Sequence, residues 1–459
     1  MSTPAWDVVV VGAGVVGAAI ARELSLYPLR VALVDAADDV GDGTSKANTA
    51  ILHTGFDATP GTLEAALVRR GYDLLGAYAA VAGIPVERVG ALLVAWDDQQ
   101  LSALPALAAK AAANGYHDAR IIGAGELYAR EPHLGLGAVG ALDVPGESII
   151  CPWTTPLAFA TEALAGGVQI LLGTLVQAVT AAEGGSSVHV LVTSAGELTT
   201  RWVVNAAGLG ADLLDRLFGH DGFTITARRG ELVVFDKLAR SLLHHILLPV
   251  PTSRGKGVLV APTVFGNVLL GPTAEDVGDR SDTATTAAGL TMLTEQGRRI
   301  LPALLAQEVT AGYAGLRSAT EHSDYQIACH PAQRYVAVGG IRSTGLTASL
   351  AIAEHVVALM VGGGWDPGER RAAQIPRMPN LGEAGMRPYQ DRAAIAADPD
   401  YGAIVCHCER VSSGEIRDAL AAPVPARTVS GVSRRTRATN GRCQGFFCGA
   451  RVRAMVEAR

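Results

Sequence analysis

Four of the six cysteines in this 459-residue chain lie near its carboxyl terminus, in two close pairs. Cys406 and Cys408 form a C-x-C pair, and Cys443 and Cys448 form a C-x4-C pair at the start of the last predicted helix. Thiolates from two separate turns can converge on one centre, and they are ligands for either zinc or an iron–sulfur cluster. The spacing therefore predicts a metal centre held by four cysteines, with both metals open.

A glycine-rich loop near the amino terminus has the spacing of a nucleotide-binding turn. It follows the apolar strand pattern of residues 7–11, and Gly12, Gly14 and Gly17 form its G-x-G-x-x-G. Gly12 permits the tight turn, Gly14 lets the backbone approach a pyrophosphate, and Gly17 allows a helix to pack closely on the strand. Asp35 ends the second predicted strand, where a carboxylate can bind a ribose hydroxyl. This pattern suits either FAD or NAD.

Later segments favour FAD. Residues 44–55 form a second loop of small and polar residues, 203–214 is a strand that ends in a glycine turn, and 335–360 adds a third such turn before a long helix. Contacts spread over distant segments suit a cofactor that lies extended through the domain, whereas an NAD domain normally finishes within one continuous block. The predicted FAD contacts in these segments are Thr44, Ser45, Asn48, Ala207, Gly208, Gly340, Ile341, Gly345, Leu346 and Thr347.

The composition is typical of a glycine-rich globular enzyme. Hydrophobic residues make up 49% and charged residues 18% of the chain, which argues against disorder. The net charge of −6 gives no basic footprint for nucleic acid. The start of the chain lacks the features of a secretion signal, and no uninterrupted apolar run approaches the length of a membrane span. We therefore expect a soluble, cytoplasmic protein, with peripheral membrane contact left open.

Together these motifs resemble the D-amino-acid-oxidase superfamily of flavoproteins over residues 5–360. Within it the chain is similar to FAD-dependent glycerol-3-phosphate dehydrogenases and L-2-hydroxyglutarate oxidases. The resemblance implies an α/β (α+β) fold, with a glutathione-reductase-type FAD-binding Rossmann domain and a substrate domain whose antiparallel sheet covers the flavin. The segments that carry it are 12–17, 48–71, 203–212, 228–237, 257–276, 314–320 and 339–354.

The tail resembles the [2Fe–2S]-binding domain of bacterioferritin-associated ferredoxins, a small helical iron–sulfur domain that also closes anaerobic glycerol-3-phosphate dehydrogenases. The stretch "RRTRATNGRCQGFFC" at 434–448 carries this likeness. It implies a [2Fe–2S] cluster on the four cysteines, with zinc as the structural alternative. Arg434, Arg435 and Arg437 are expected either to raise the reduction potential of that cluster or to form a solvated basic face.

The chain divides into three predicted parts. Residues 1–360 form the oxidoreductase, 361–400 form a linker rich in proline, glycine and arginine, and 401–459 form the iron–sulfur domain. Within the first part, the FAD-binding segments are about 1–80, 145–220 and 310–360, and the substrate domain is about 81–144 and 221–309.

The resemblance also names three candidate catalytic residues. His53, in "LHTG", is the candidate base or orienting residue, because an uncharged imidazole near neutral pH suits proton removal. Arg317 and Arg342 are candidates to hold an anionic substrate by forked hydrogen bonds. The alternatives are a structural histidine and salt-bridged scaffold arginines. For Arg228 and Arg229 a structural role is at least as well supported as substrate contact.

The sequence predicts an FAD-dependent dehydrogenase of a small hydroxylated anion, with glycerol 3-phosphate as the leading substrate. Electrons are expected to pass through the [2Fe–2S] centre to a partner flavoprotein or a quinone. A 2-hydroxy acid such as L-2-hydroxyglutarate is the second candidate substrate, and an amine or imino acid is the third. A non-catalytic electron-transfer subunit is the alternative from another class of protein.

Overall fold

The computed structural model describes residues 5–182, 188–251 and 257–458. Its strands are, in chain order, β1 Trp6–Val11, β2 Val31–Val34, β3 Ile51–Leu52, β4 Val86–Glu87, β5 Ala91–Ala95, β6 Arg120–Gly123, β7 Gly140–Val144, β8 Ser148–Ile150, β9 Gln169–Leu171, β10 Val176–Thr180, β11 His189–Thr193, β12 Gly196–Asn205, β13 Thr226–Phe235, β14 Ile246–Pro249, β15 Leu259–Pro262, β16 Val268–Gly271, β17 Glu275–Val277, β18 Val309–Ala319, β19 Gln326–His330, β20 Tyr335–Gly339, β21 Ile404–Cys406 and β22 Val411–Ser412. Its helices are α1 Val15–Leu24, α2 Leu63–Ala82, α3 Asp98–Ala113, α4 Ala124–Arg130, α5 Thr154–Ala165, α6 Ala211–Leu217, α7 Ala287–Ile300, α8 Gly345–Gly362, α9 Arg392–Ala397, α10 Ser413–Ala421, α11 Val429–Thr436 and α12 Gly449–Glu457.

The first sheet has a parallel centre formed by β9, β2, β1, β12 and β20. Strand β1 is apolar at successive positions because both of its faces are covered. Val8 and Val10 belong to the core that contains α1, α5 and α8, whereas Val9 and Val11 belong to the core that contains α6. Antiparallel strands β10, β11 and β19 complete this sheet.

The carboxyl ends of the parallel strands meet at one edge of this sheet. There β1 runs into Gly12, β2 into Asp35, β12 into Ala206 and β20 into Gly340. Open α/β sheets bind ligands in the crevice at this edge. The fold therefore brings the three glycine turns together, as a cofactor site assembled from distant segments requires.

The second sheet is almost wholly antiparallel and has nine strands. Strands β13 and β18 pair along nearly their whole length, which places Arg228 opposite Arg317 and Gly230 opposite Gly315. The sequence division assigned residues 310–360 to the FAD-binding segments, but β18 belongs to this second sheet. Its register with β13 is a long-range property that a local sequence pattern does not contain. The two sheets give the α/β class with an antiparallel substrate sheet that the resemblance implied.

A separate small sheet consists of β3, β8 and β4. Ile51 and Leu52 pair antiparallel with Ile149 and Ser148. The pairing brings the end of β3 to the start of β8, where His53 meets Glu147.

The last part of the chain is a separate small unit with its own apolar core. The β21–β22 hairpin and helices α10, α11 and α12 enclose residues such as Val411, Ile416 and Val432. The segment before it, 361–400, is largely irregular and is tied to the first unit by ordered contacts, for example the Met378 N–H that donates to the Ala82 carbonyl at 2.7 Å.

One helix in the described part of the chain, α8, is long and apolar enough to span a membrane by length and composition alone. It lies in the first core, where it packs against α1 and α2. Its apolar composition is accounted for by this packing.

Candidate functional site: two adjoining cavities and a four-cysteine loop pair

The glycine loop after β1 has the backbone geometry that its sequence predicts. Gly12 has φ +107°, and a Cβ there would lie 2.3 Å from the Ala206 carbonyl oxygen. A Cβ on Gly17 would lie 1.7 Å from the Gly12 carbonyl oxygen. Only glycine permits this approach of strand, turn and helix.

Two polar side chains accept hydrogen bonds from backbone N–H groups in and near the loop. The Asp35 carboxylate accepts the N–H groups of Ala13 at 2.5 Å and Ala37 at 2.7 Å, and the Ser45 hydroxyl accepts the Val15 N–H at 2.9 Å. Burial raises the pKa of Asp35, although these backbone hydrogen bonds oppose it. The side chains therefore order the start of α1, whose N-terminus favours a negatively charged group.

A cavity of about 630 Å³ opens above this loop and extends along the sheet edge. All the predicted FAD contacts except Gly17, Gly340 and Thr347 line this cavity. His53 and Arg342 line it as well. The three exceptions support its walls. Gly340 turns the chain after β20 with φ +65°, and the Thr347 hydroxyl accepts the backbone N–H of His53 at 3.0 Å.

His53 belongs to a dyad that sequence reasoning missed. Its Nδ1 lies 2.9 Å from Oε2 of Glu147, a carboxylate with no solvent exposure. The other carboxylate oxygen, Oε1, accepts the Thr54 N–H at 2.6 Å and the Thr54 hydroxyl at 2.9 Å. Such a carboxylate fixes the imidazole ring and places its proton on Nδ1, so that Nε2 carries the basic lone pair. The sequence signal for Glu147 is an acidic residue after Pro145 and Gly146, in the turn just before the apolar run of β8.

Arg317 extends from the face of β18 that also carries Tyr313 and Gly315. This face meets the loop after β2, because the Tyr313 hydroxyl donates to the Asn48 carbonyl at 3.1 Å and a Cβ on Gly315 would lie 2.2 Å from the Ala47 carbonyl oxygen. The guanidinium folds over Gly230 and donates to the Thr273 carbonyl at 3.3 Å.

The charge of Arg317 is not balanced locally. It forms no ion pair with any residue that the structure describes, and its cross-strand neighbour Arg228 is also cationic. Burial, followed by the charge of Arg228, lowers the pKa of Arg317, but a guanidinium keeps its proton at neutral pH. This partly buried, unpaired cation suits an anionic substrate group.

The other candidate arginines have carboxylate partners. Arg342 pairs with Glu64 at 2.9 Å and also hydrogen-bonds the Ser323 carbonyl. Arg228 pairs with Asp276 at 2.6 Å. The guanidinium of Arg229 is held by Glu275 and Asp282. These contacts favour the scaffold alternative for all three arginines.

The four tail cysteines lie together, in pairs. Within the described residues, no three His, Cys, Asp or Glu side chains converge as ligands of one ion would. Instead Cys408 contacts Cys443 and Cys406 contacts Cys448. Backbone N–H groups, that of Phe447 foremost, hydrogen-bond the Cys443 sulfur and lower its pKa. A [2Fe–2S] cluster takes two ligands on each of its irons, so two thiol pairs match its needs.

Comparison with known proteins agrees with both parts of the molecule. The family model described as FAD dependent oxidoreductase matches residues 7–359, and the model described as BFD-like [2Fe-2S] binding domain matches residues 404–458. The chain belongs to the FAD-dependent oxidoreductase family.

Several relatives of this oxidoreductase share most of its length. Glycerol 3-phosphate dehydrogenase of Caloramator mitchellensis is 36% identical over 456 residues, covering 97% of this chain and 93% of the relative. Glycerol 3-phosphate oxidase of Mycoplasma pneumoniae is 34% identical over 365 residues, and the match covers 77% of this chain and 94% of the relative. The dithionite-reduced, FAD-bound structure of L-alpha-glycerophosphate oxidase from Mycoplasma pneumoniae superposes with a TM-score of 0.74 at 31% identity, over 83% of this chain and 97% of that one.

The oxidoreductase therefore uses FAD and a [2Fe–2S] cluster, as the sequence predicted. The residues fit both groups. The glycine loop, Asp35 and the elongated cavity suit an extended dinucleotide, and the paired thiols with backbone N–H groups aimed at sulfur suit a cluster. Zinc, the alternative for the tail, is not supported by the family match.

A second cavity of about 620 Å³ adjoins the first in the oxidoreductase, and both cavities are lined by Thr44, Asn48 and Arg280. The substrate sheet and the iron–sulfur domain form its other walls. Trp153 and Phe265 stack there with ring centroids 4.8 Å apart, and the Arg437 guanidinium lies 4.3 Å from the Phe265 centroid. Aromatic and cationic side chains thus connect the iron–sulfur domain with the cofactor loop.

The arginine cluster of the tail differs from both expectations. Arg434, Arg435 and Arg437 are 6%, 9% and 5% exposed, so they form no solvated face. Asp39 in the loop after β2 accepts hydrogen bonds from both Arg434 at 2.6 Å and Arg435 at 2.7 Å. Arg437 pairs with buried Glu409 at 3.2 Å. The first two arginines join the iron–sulfur domain to the FAD-binding domain, and carboxylates balance the positive charge that was expected to raise the potential of the cluster.

Proposed function

We propose that this protein is an FAD-dependent glycerol-3-phosphate dehydrogenase. The proposal rests on Arg317, a partly buried cation without a carboxylate partner in the described chain, on the sheet face that meets the cofactor loop. A phosphate offers pairs of oxygen atoms that the planar guanidinium binds in a bidentate manner. The relatives named as glycerol 3-phosphate dehydrogenase and oxidase support this substrate.

The His53–Glu147 dyad would remove the proton of the substrate hydroxyl. With Glu147 holding Nδ1–H, Nε2 accepts the proton, and the resulting imidazolium is stabilised by the buried carboxylate. When bound, FAD would supply the acceptor for the hydride on the carbon that carries this hydroxyl, and the [2Fe–2S] cluster would supply a one-electron acceptor. The product is dihydroxyacetone phosphate.

The iron–sulfur domain supports a dehydrogenase rather than an oxidase. An oxidase needs only FAD and oxygen, whereas a one-electron centre fixed to the FAD-binding domain by Asp39 serves a separate acceptor. We propose that this acceptor is a protein or a quinone. The cytoplasmic location stays a prediction.

The test is an anaerobic titration of the purified holoprotein with glycerol 3-phosphate, with L-2-hydroxyglutarate as the comparison. The flavin absorption band should bleach with glycerol 3-phosphate at far lower concentration. Bleaching by L-2-hydroxyglutarate alone would replace the substrate and keep the reaction class. No bleaching by either would refute the proposed substrate.

A further inference from the structure

Two aromatic side chains lie exposed between the last two cysteines. Phe446 is 95% exposed and Phe447 is 69% exposed. Their backbone N–H groups hydrogen-bond the Cys443 sulfur, and the left-handed backbone of Gln444 and Gly445 makes the turn tight. The main chain of this loop therefore supports the cluster, while its aromatic rings extend into solvent.

The aromatic pair is part of a continuous surface over both cysteine loops. The Phe447 ring contacts His407 edge to face, with centroids 5.1 Å apart, and His407 lies between Cys406 and Cys408. We call His407, Phe446 and Phe447 the cluster-edge patch. Exposed aromatic groups of this kind mark interaction sites, because they lie outside the packed core of their own domain.

Two exposed cations follow the patch along α12. Arg451 and Arg453 are exposed on α12 and form no ion pair with described residues, unlike Arg410 and Arg442, which pair with carboxylates. The chain as a whole has a net charge of −6, so this positive rim is a local feature. Such a rim attracts a partner of opposite charge and orients it before contact.

We propose that the cluster-edge patch is the docking surface for a protein one-electron carrier with an acidic rim and an apolar centre. Aromatic anchors at the centre and charges at the rim are the usual anatomy of such an interface. A quinone requires a concave apolar pocket, which a pair of protruding rings does not provide. Each encounter transfers one electron from the reduced cluster to the carrier, so the two electrons of one substrate need two encounters.

This inference extends the proposed electron route, and its test avoids the proposed substrate. Full-length holoprotein is reduced with dithionite, desalted anaerobically and mixed with an oxidised acidic [2Fe–2S] ferredoxin in a stopped-flow instrument. We expect Phe446→Ser/Phe447→Ser to lower the second-order rate constant at least tenfold. We expect Arg451→Glu/Arg453→Glu to lower it by a similar factor at low salt and to flatten its decline with rising salt.

Matched controls alter equally exposed sites elsewhere. Leu136, 93% exposed, is changed to Ser, and Arg298 on α7 is changed to Glu; both variants should react as the wild type does. Calorimetric binding of the two oxidised proteins gives a readout without turnover, and it should weaken in parallel. Iron content and the visible spectrum confirm that each variant holds its cluster.

Three results would overturn the proposal. One is unchanged rate and binding constants in both patch variants, and another is a wild-type protein that neither binds nor reduces the ferredoxin. The third is loss of self-association or of binding to anionic vesicles in the patch variants with ferredoxin reduction intact, because the patch would then serve a second copy or a membrane. None of these results depends on glycerol 3-phosphate being the substrate.

Discussion

The substrate sheet and the domain interface both withdraw arginines from solvent, but they treat the charge in opposite ways. At the interface Arg434 and Arg435 share the buried carboxylate of Asp39, and within the iron–sulfur domain Arg437 pairs with buried Glu409. On the sheet Arg317 has no carboxylate partner among the described residues and lies opposite another cation. A buried ion pair is complete in itself, whereas an unpaired buried charge is costly unless a ligand supplies the missing partner. The contrast separates scaffold arginines from the candidate substrate arginine.

The largest effect is expected for Arg317→Gln. Loss of a charged, bidentate contact to a phosphate should lower kcat/KM for glycerol 3-phosphate about 10³-fold, or about 4 kcal/mol. Steady-state assays with a dye acceptor measure it. Arg228→Gln, which alters the exposed and paired neighbour, should change kcat/KM less than about threefold, and equal losses in both variants would end the distinction between them.

Asp39→Asn tests the arginines that have a carboxylate partner, Arg434 and Arg435. The two interface arginines would lose their shared carboxylate, which should destabilise the folded protein by about 3 kcal/mol while leaving reduction of the flavin by substrate unchanged. Denaturant unfolding measures the change. A variant as stable as the wild type would show that the interface arginines do not depend on Asp39.

The same ion pairs predict a pH dependence. Burial raises the pKa of Asp39, but hydrogen bonds and charges from Arg435 and Arg434 outweigh it and hold the pKa below its usual value. Because the folded pKa is depressed, the stabilisation is fully present above the unfolded pKa of about 4 and is lost as pH falls through the folded pKa. The stability difference between wild type and Asp39→Asn should therefore stay constant from pH 7 to about 5 and shrink below about 4.

Glu147→Gln tests a buried carboxylate whose partner is an imidazole. The amide cannot hold the Nδ1–H tautomer of His53 and still accept both Thr54 groups, so flavin reduction by substrate should slow about 10²-fold. Stopped-flow traces over a pH series should also show the acidic limb, on which the base becomes protonated, displaced to lower pH relative to wild type. A slower rate with an unmoved pH profile would indicate a purely structural carboxylate.

The smallest effect is expected at Gly230, which supports Arg317. A Cβ there would lie 2.6 Å from Nη2 of Arg317, so Gly230→Ala should displace the guanidinium and raise KM about tenfold with kcat little changed. Gly312→Ala is the matched control on the same sheet, because its Cβ would find no neighbour closer than 3.9 Å. Equal KM values in the two variants would contradict the support role.

Sequence alone could predict the features that are local in the chain. The glycine turn at Gly12, the continuous apolar run of β1 and the cysteine pairs each depend on neighbouring residues, and all are present in the structure. The partners of charged groups were not predictable, because they depend on contacts between distant segments. Glu147 reaches His53 only through the pairing of β3 with β8, and Asp39 meets Arg434 only when the tail docks. For the same reason the sequence could not separate Arg342, which the fold pairs with Glu64, from Arg317.

The most direct test of Arg317 as the anion-binding residue compares glycerol 3-phosphate with uncharged glycerol as reductants of the flavin, in wild type and in Arg317→Gln. Anaerobic stopped-flow traces give the second-order rate constant for each compound. We expect a preference for the phosphate of at least about 10³-fold in the wild type that falls below about tenfold in the variant. A preference that persists unchanged in Arg317→Gln would contradict the assignment of this unpaired cation to the substrate anion.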